Sequence, residues 1–268
     1  MTGPKLLRRN DADGSALAMA KGFGRYKPEE EKSVREALVS QDPMLEKLKR
    51  IYKGLKCNPD RDRPSPVEAF EPENEFWSLL TAFGRRLNCS DKDVEAFSLA
   101  LADFQHEKDF PMKAGLFLSA LINGGKSKTY TLRTNHLEVP PDYIGYKNRK
   151  TIVVEGNAGD NVGSTMKEGL ITVKGNAGYG VGDWMEGGRI IVEGDVDYNL
   201  GVGTKDGTIT VKGDATLEVG AFMRGGRIDI EGRFAGISNT LDDPDIMGEE
   251  TESTAEIYCK GRRVWPSK

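Results

Sequence analysis

Residues 151–156 read TIVVEG, and close variants recur at nineteen-residue spacing as LITVKG (170–175), RIIVEG (189–194), TITVKG (208–213) and RIDIEG (227–232). Each segment carries two branched aliphatic residues, then a charge and a glycine, and the charge alternates between Glu and Lys. A constant period in this range is typical of solenoids, in which each repeat packs mainly on its neighbours. The repeat therefore predicts a stack of nineteen-residue coils.

The alternating charge predicts how the coils stack. In an extended segment, alternate side chains point to opposite faces, so the aliphatic pair turns inward and the charge turns to solvent. With coils one strand spacing apart, about 4.8 Å, each Glu lies between two Lys and like charges do not meet. We predict that residues 151–232 form a parallel β-helix whose charge pairs set the register. The charged positions are Glu155, Lys174, Glu193, Lys212 and Glu231, with Lys260 continuing the series after a ten-residue insertion.

The remaining positions of each coil agree with this prediction. Three glycine positions recur in each coil and predict points where the chain turns without a Cβ penalty. They are represented by Gly175, Gly163 and Gly169 and their equivalents in the other coils. Two further apolar columns are predicted to point inward. They are Val162, Val181, Leu200 and Val219, and Met166, Met185 and Met223 with Thr204 in the odd coil.

Two of the coils carry a recognisable glycine pattern. Residues 156–163 (GNAGDNVG) and 175–182 (GNAGYGVG) match Gly-x-x-Gly-x-x-x-Gly, and the chain here resembles the GXGXG-domain family over roughly 150–232. Asp197 and Thr216 replace the middle glycine in the following coils. In that family the domain is the carboxy-terminal right-handed β-helix of the glutamate synthase large subunit, and it makes up most of one of the subunits of formylmethanofuran dehydrogenase. The resemblance implies a scaffold that carries no catalytic residues itself.

The rest of the chain is predicted to be helical or to cover the ends of the solenoid. Apolar periodicity and capping signals predict a small helical domain over residues 29–125, preceded by a flexible tail at 1–28. The solenoid region is placed at 129–268, of which 233–268 forms a carboxy-terminal cap because an open end exposes unpaired backbone. The fold class is therefore α+β, a helical domain followed by a right-handed parallel β-helix of nineteen-residue coils.

Composition excludes several classes of protein. The net charge of −4 points to no particular partner, and no apolar run approaches membrane length. The first 26 residues lack the apolar stretch of a signal peptide. Three scattered cysteines, Cys57, Cys89 and Cys259, are too few for a disulfide framework or a metal cluster. A cytoplasmic location follows as an expectation.

Three motifs suggest chemistry but lack its full pattern. Gly124-Gly125-Lys126-Ser127 has Ala120 where a phosphate-binding loop needs glycine, and it closes a helix instead of opening one. The acidic insertion at 242–256 begins like a calcium loop but has Met247 and Thr254 at ligand positions. His106 and His136 have no companion residues at triad or zinc spacing. No catalytic, cofactor-binding or metal-binding residue is predicted.

Four aromatic residues mark a candidate partner surface. Tyr179 and Tyr198 share one coil position, with Asp160 and Leu217 in the flanking coils, and Trp184 and Phe222 share another. Outward aromatics are typical of protein interfaces. The tyrosines are predicted to be partly buried against a covering domain. Trp184 and Phe222 are assigned either to a partner surface or to the underside of the chain's own helical domain.

These observations favour a non-catalytic structural or docking subunit of a cytoplasmic multi-subunit assembly. Its partners would be other subunits or further copies of the chain, not nucleic acid or a membrane, and no cofactor is expected. The resemblance implies a narrower version, in which the assembly is formylmethanofuran dehydrogenase-like or glutamate synthase-like. The alternative is a stand-alone enzyme or a carbohydrate-binding β-helix. Its site would lie between the two domains or on the face of Asp160, Tyr179 and Tyr198.

Overall fold

The computed structural model describes residues 42–64, 75–238 and 253–266. From Leu48 onward the described residues form one compact unit. The predicted tail at 1–28, residues 29–41 of the predicted helical domain and most of the acidic insertion lie outside the described residues. The division of the chain into a helical domain and a solenoid domain stays a prediction.

Five α-helices precede the first strand in the described part of the chain. They are α1 (Pro43–Gly54), α2 (Pro59–Asp62), α3 (Glu75–Leu87), α4 (Asp91–Ala100) and α5 (Phe110–Gly124), with a 3₁₀ turn at Leu101–Asp103. Ser90 caps α4 as predicted, because its Oγ accepts from Asp93 N while the Asp93 carboxylate accepts from Ser90 N. The α5 helix is buried on nearly every side rather than on one predicted face.

One eight-stranded sheet runs the length of the solenoid in sequence order. Strands β1 to β7 are parallel, and β8 pairs antiparallel with β7. The strands are β1 (Thr129–Arg133), β2 (Thr151–Glu155), β3 (Leu170–Val173), β4 (Arg189–Val192), β5 (Thr208–Val211), β6 (Arg227–Ile230), β7 (Glu256–Cys259) and β8 (Arg262–Trp265). A parallel-strand β-solenoid of about five turns over residues 129–230 is therefore present.

The strand register confirms the nineteen-residue coil. Ile152 pairs with Ile171, Ile171 with Ile190, and the same spacing continues through β6. Strand β7 stays in register across the insertion, because Ile230 pairs with Cys259. The two predicted inner columns are buried as well. In the odd coil, Thr204 satisfies its hydroxyl by donating to backbone carbonyl oxygens of Gly201 and Gly182.

At one of the three predicted glycine positions, glycine is needed for a different reason from the one expected. The equivalents of Gly163 and Gly169 have positive φ, as turns require, but Gly175 does not. A Cβ at Gly175 would collide with Asn157 Oδ1, which accepts a hydrogen bond from the next residue, Asn176 N, at 2.9 Å. The same bond recurs in the following coils, where a backbone N–H donates to the side-chain Oδ1 of Asn176, Asp195 or Asp214 in the coil before it. Close approach of neighbouring coils therefore explains Gly175, Gly194, Gly213 and Gly232, whereas Gly156 and Gly261 have positive φ.

The charge ladder forms around Glu193. Its Oε1 lies 2.8 Å from Lys174 Nζ and 3.4 Å from Lys212 Nζ. A second alternating column, not anticipated from the sequence, lies on the same coils and joins Glu186 to Lys167 and Lys205. Exposed pairs of this kind contribute about 0.2–1 kcal/mol each, so their main effect is on register.

Different elements cover the two ends of the sheet. At the first strand, Arg133 N donates to Ser98 Oγ of α4 at 2.9 Å, and the buried Tyr130 hydroxyl donates to Cys89 O. At the other end the chain reverses through Lys260 and Gly261, whose φ values of 50° and 73° suit a two-residue hairpin. Strand β8 thereby ends the parallel stack. The carboxy-terminal cap expected at 233–268 stays a prediction.

Candidate functional site

One corner of the solenoid carries a column of side chains whose chemistry changes from coil to coil. We call it the acid–tyrosine column. It consists of Asp142, Asp160, Tyr179, Tyr198 and Leu217, placed in successive coils by bonds such as Tyr143 N to Asp160 O and Asn161 N to Tyr179 O. The column begins beside α5, where Asp142 N donates to Pro111 O at 2.9 Å.

The acidic half of the column is held by hydrogen bonds from backbone N–H groups of one coil to aspartate side chains of the coil before it. Asp142 Oδ1 accepts from Asp160 N at 2.9 Å, and Asp160 Oδ1 accepts from Tyr179 N at 3.2 Å. A Cβ at Gly178 would collide with Asp160 Oδ1. In the next coil Asp197 replaces this middle glycine, and the residue beneath it is Tyr179, which has no carboxylate. The middle glycine of the motif therefore accompanies a carboxylate in the preceding coil.

The apolar half of the column faces solvent. The Tyr179 and Tyr198 rings stack in parallel, with centroids 5.3 Å apart and an interplanar angle of 9°. Tyr179 is half-buried, whereas Tyr198 is 47% and Leu217 57% exposed. Tyr179 is therefore partly buried and Tyr198 is not, and burial of the tyrosines against a covering domain stays a prediction. Two neighbouring apolar side chains remain uncovered by the described part of the chain.

Burial raises the pKa of the acids at this corner. The pKa of Asp142 rises to about 6, chiefly by burial, although the Asp160 N–H bond and the Arg63 charge lower it. Burial also raises the pKa of Asp160, opposed by the bond from Tyr179 N. The nearby Asp160 charge further disfavours ionisation of Asp142. Asp142 and Asp160 are joined by the Asp160 N–H bond to Asp142 Oδ1, and Asp142 keeps its proton to a higher pH than an ordinary aspartate.

A third acid lies one coil further along. Burial raises the pKa of Asp183 to about 8, and a bond from the Val202 backbone N–H opposes this only in part. Its Oδ1 is out of contact with solvent and has no hydrogen-bond partner within the described ranges. Its charge also reaches the Tyr143 hydroxyl, whose pKa is raised chiefly by burial. Asp183 is therefore a buried acid that favours its neutral form.

The other predicted aromatic pair is less exposed than the acid–tyrosine column. Trp184 and Phe222 are half-buried, and both have positive φ, 53° and 55°. The intervening coil has Gly203 at the same position, and a Cβ there would collide with the Trp184 indole. Trp184 therefore covers the backbone of the next coil instead of projecting freely.

Two residues of this corner escaped the sequence analysis. Asp142 was missed because its spacing to Asp160 is eighteen residues and the strand spacing from β1 to β2 is twenty-two, so the nineteen-residue period does not reach it. Asp183 was missed because the equivalent residues are Ser164, Val202 and Ala221, which form no pattern. The structure therefore adds a second carboxyl, that of Asp142, next to Asp160.

The remaining candidate residues take no part in this site. His136 Nε2 lies 3.1 Å from Leu99 O, and His106 is exposed. Among the described residues no three His, Cys, Asp or Glu side chains could hold a metal ion together. Ser127 lies in the loop after α5, and Asp91 is the first residue of α4. Ser127 Oγ accepts a hydrogen bond from Asp91 N and donates one to Asp91 Oδ1. The three cysteines are free thiols.

Comparison with protein-family models, with curated proteins and with solved structures finds no match to this chain. Within the described ranges, every helix is too short or too polar to cross a bilayer. The candidate site is therefore defined by its geometry alone.

Proposed function

We propose that this chain is a non-catalytic docking subunit and that a protein partner covers Tyr179, Tyr198 and Leu217. The observation that carries the proposal is the exposed apolar half of the acid–tyrosine column, with Tyr198 at 47% and Leu217 at 57% exposure. Aromatic side chains are enriched in protein interfaces, where they supply large contact areas at low entropic cost. The column also stands on a backbone fixed by hydrogen bonds to both neighbouring coils.

The proposal has a narrower form in which the partners resemble subunits of glutamate synthase or formylmethanofuran dehydrogenase. That form rests on the glycine pattern of residues 156–163 and 175–182. We take the coils to be right-handed, the hand of nearly all parallel crossover connections. A cytoplasmic assembly is part of the same proposal.

Capture from an extract of the native cells tests the docking proposal. We expect the unaltered chain to retain one or more proteins in fixed ratio, and a variant with Tyr198→Ser and Leu217→Ser to lose them. The matched control is Leu99→Ser, because Leu99 is 53% exposed but lies on α4. If the Tyr198/Leu217 variant keeps every partner, or if Leu99→Ser loses the same ones, this surface is not the docking site. Sedimentation of the purified chain shows whether the partner is a second copy.

A carbohydrate-binding or glycoside-cleaving site at the same corner is the second candidate. It is favoured by Asp142 next to Asp160, since cleavage of a glycoside needs two carboxyls, one of them an acid with a raised pKa, and burial raises the pKa of Asp142 to about 6. The stacked tyrosines offer a flat surface for a sugar ring. Asp142→Asn should then abolish cleavage of an oligosaccharide panel while Asp195→Asn, an exposed change elsewhere, should not. Absence of both binding and cleavage across the panel contradicts this candidate.

A further inference from the structure

A cavity of about 280 Å³ lies where α3, the end of α5 and the segment before β2 meet. The residues that matter for its chemistry are Trp77, Arg85, Asn123, Lys147, Arg149 and Lys150. Four of these six are cations, and none of the lining residues that the structure describes is acidic. The cavity is separate from the acid–tyrosine column and has no part in the proposed docking function.

The charges of this cavity are only partly balanced. Arg149 forms an ion pair with Glu168 at 3.0 Å. Lys150 Nζ lies 3.2 Å from Ser127 O and 3.4 Å from Gly125 O, and these carbonyl oxygens orient the ammonium without cancelling its charge. Arg85 has neither an ion pair nor a hydrogen bond to any residue that the structure describes. Within the described ranges, Arg85 and Lys150 therefore bring positive charge to the cavity that no carboxylate balances.

The walls are held in place without a ligand. A Cβ at either Gly84 or Gly124 would collide with the facing helix backbone, so α3 and α5 pack in direct contact. Asn123 Nδ2 donates to Tyr146 O at 3.0 Å, and the Trp77 ring meets Tyr146 edge-on at 4.7 Å. Lys147 follows with φ of 52°, a conformation that non-glycine residues rarely adopt. A preformed site binds without the cost of ordering its walls.

We propose that this cavity binds a small phosphorylated molecule. Arginine and lysine are the side chains proteins use for phosphate, and two or more of them facing one space repel each other until an anion enters. The volume of about 280 Å³ lies near the lower limit for small-molecule sites, which fits a sugar phosphate better than a larger cofactor. Trp77 supplies an apolar wall for the organic part.

Isothermal titration of the full chain with ribose 5-phosphate and with inorganic phosphate tests the site. We expect saturable one-to-one binding of ribose 5-phosphate with a dissociation constant below about 1 mM. Arg85→Gln and Lys147→Gln should each weaken it by about tenfold, since each removes a charge from the cavity. Gln at position 147 is no more strained than Lys, and thermal melting should show that both variants fold.

The matched control is Arg86→Gln. Arg86 is exposed, neighbours Arg85 on α3 and does not line the cavity, so its loss changes the net charge equally. Its effect should stay within about twofold. Equal losses in Arg85→Gln and Arg86→Gln would show attraction to overall charge and overturn the proposal. Absence of saturable binding by either probe at about 5 mM would overturn it as well.

Discussion

The strand face of the solenoid and the corner that holds the acid–tyrosine column are built on the same coils but repeat differently. On the strand face each coil repeats the side chains themselves, with Ile152 and Val154 followed by equivalent buried aliphatics in the strands up to β6. At the corner only the backbone repeats. Positive φ recurs at Tyr143, Asn161, Gly180, Asn199 and Glu218 while the neighbouring column changes from Asp to Tyr to Leu.

This difference separates what the fold requires from what it leaves free. A side chain inside the stack must match those in the coils above and below, so packing alone dictates its type. At the corner most hydrogen bonds between coils join backbone atoms, with the carboxylates of Asp142 and Asp160 as further acceptors, and several side chains face outward. A surface specific to this chain is therefore expected at the corner and not on the strand face.

Placing a charge inside the strand face should have the largest effect. Val173 is fully buried, and Val173→Asp would bury a carboxylate without a partner, so the solenoid should unfold or aggregate. Thr172→Asp is the control, because Thr172 is the neighbouring residue and only half-buried. Thermal melting and sedimentation measure both variants. A soluble Val173→Asp protein that melts cooperatively near the wild-type temperature would show that the inner and outer faces are wrongly assigned.

The buried acid at the corner should make stability depend on pH. The folded-state pKa of Asp183 is about 8 against an ordinary value of 3.8, so the folded protein holds a proton that the unfolded chain releases. The free energy of unfolding should therefore fall as pH rises through this window, by up to about 1.4 kcal/mol per pH unit. Asp142 acts in the same direction up to its folded pKa of about 6.

Asp183→Asn isolates the contribution of Asp183 to this slope. The variant should gain stability relative to the wild type as pH rises from about 4 to 8, because it has no proton to lose. Urea unfolding at several pH values measures the difference, with Asp195→Asn as an exposed control. Parallel pH profiles for wild type and Asp183→Asn would contradict the assignment of a buried neutral acid.

The smallest expected effect concerns the middle glycine. Gly178→Ala should destabilise by about 1–3 kcal/mol because its Cβ would collide with Asp160 Oδ1. The cost should shrink by about 1 kcal/mol or more in an Asp160→Ala background, since the colliding atom is gone. Asp197→Ala, at the same position one coil later, should stay within about 0.5 kcal/mol. Denaturant unfolding of the four members of the cycle checks the coupling, and strictly additive effects would exclude this explanation of the glycine.

The strand face could be read from the sequence because its cause is local and repeated. The buried Ile152 and Val154 alternate with the half-buried Thr151, Val153 and Glu155, and the same alternation returns every nineteen residues. The helix capped by Ser90 was predictable for the same reason, since a capping box needs residues only three positions apart.

The candidate site could be predicted only in part because its contacts depend on irregular spacing. Tyr179 and Tyr198 follow the nineteen-residue period and were found, whereas Asp142 belongs to a coil of different length. The pKa of Asp183 depends on burial by surrounding coils, which no single position of the sequence displays. The cavity with the four cations is lined by residues of α3, of α5 and of the segment that ends at Lys150. These residues are far apart in the sequence, and only the packing of α3 and α5 on the first coil brings them together.

Because Glu and Lys alternate from coil to coil, the charge that a coil carries depends on whether its place in the stack is odd or even. The column around Glu193 changes sign with every coil, so a chain that gained or lost one coil would set like charges against each other in it. The column around Glu186 alternates only from Lys167 to Lys205, because Arg224 follows Lys205 without a change of sign. A change of two coils, twice nineteen residues, would preserve the alternation in the Glu193 column. The length of this molecule can therefore vary at low electrostatic cost only in steps of two coils, and any natural or designed variant of different length is expected to keep its coil number odd or even as it is here.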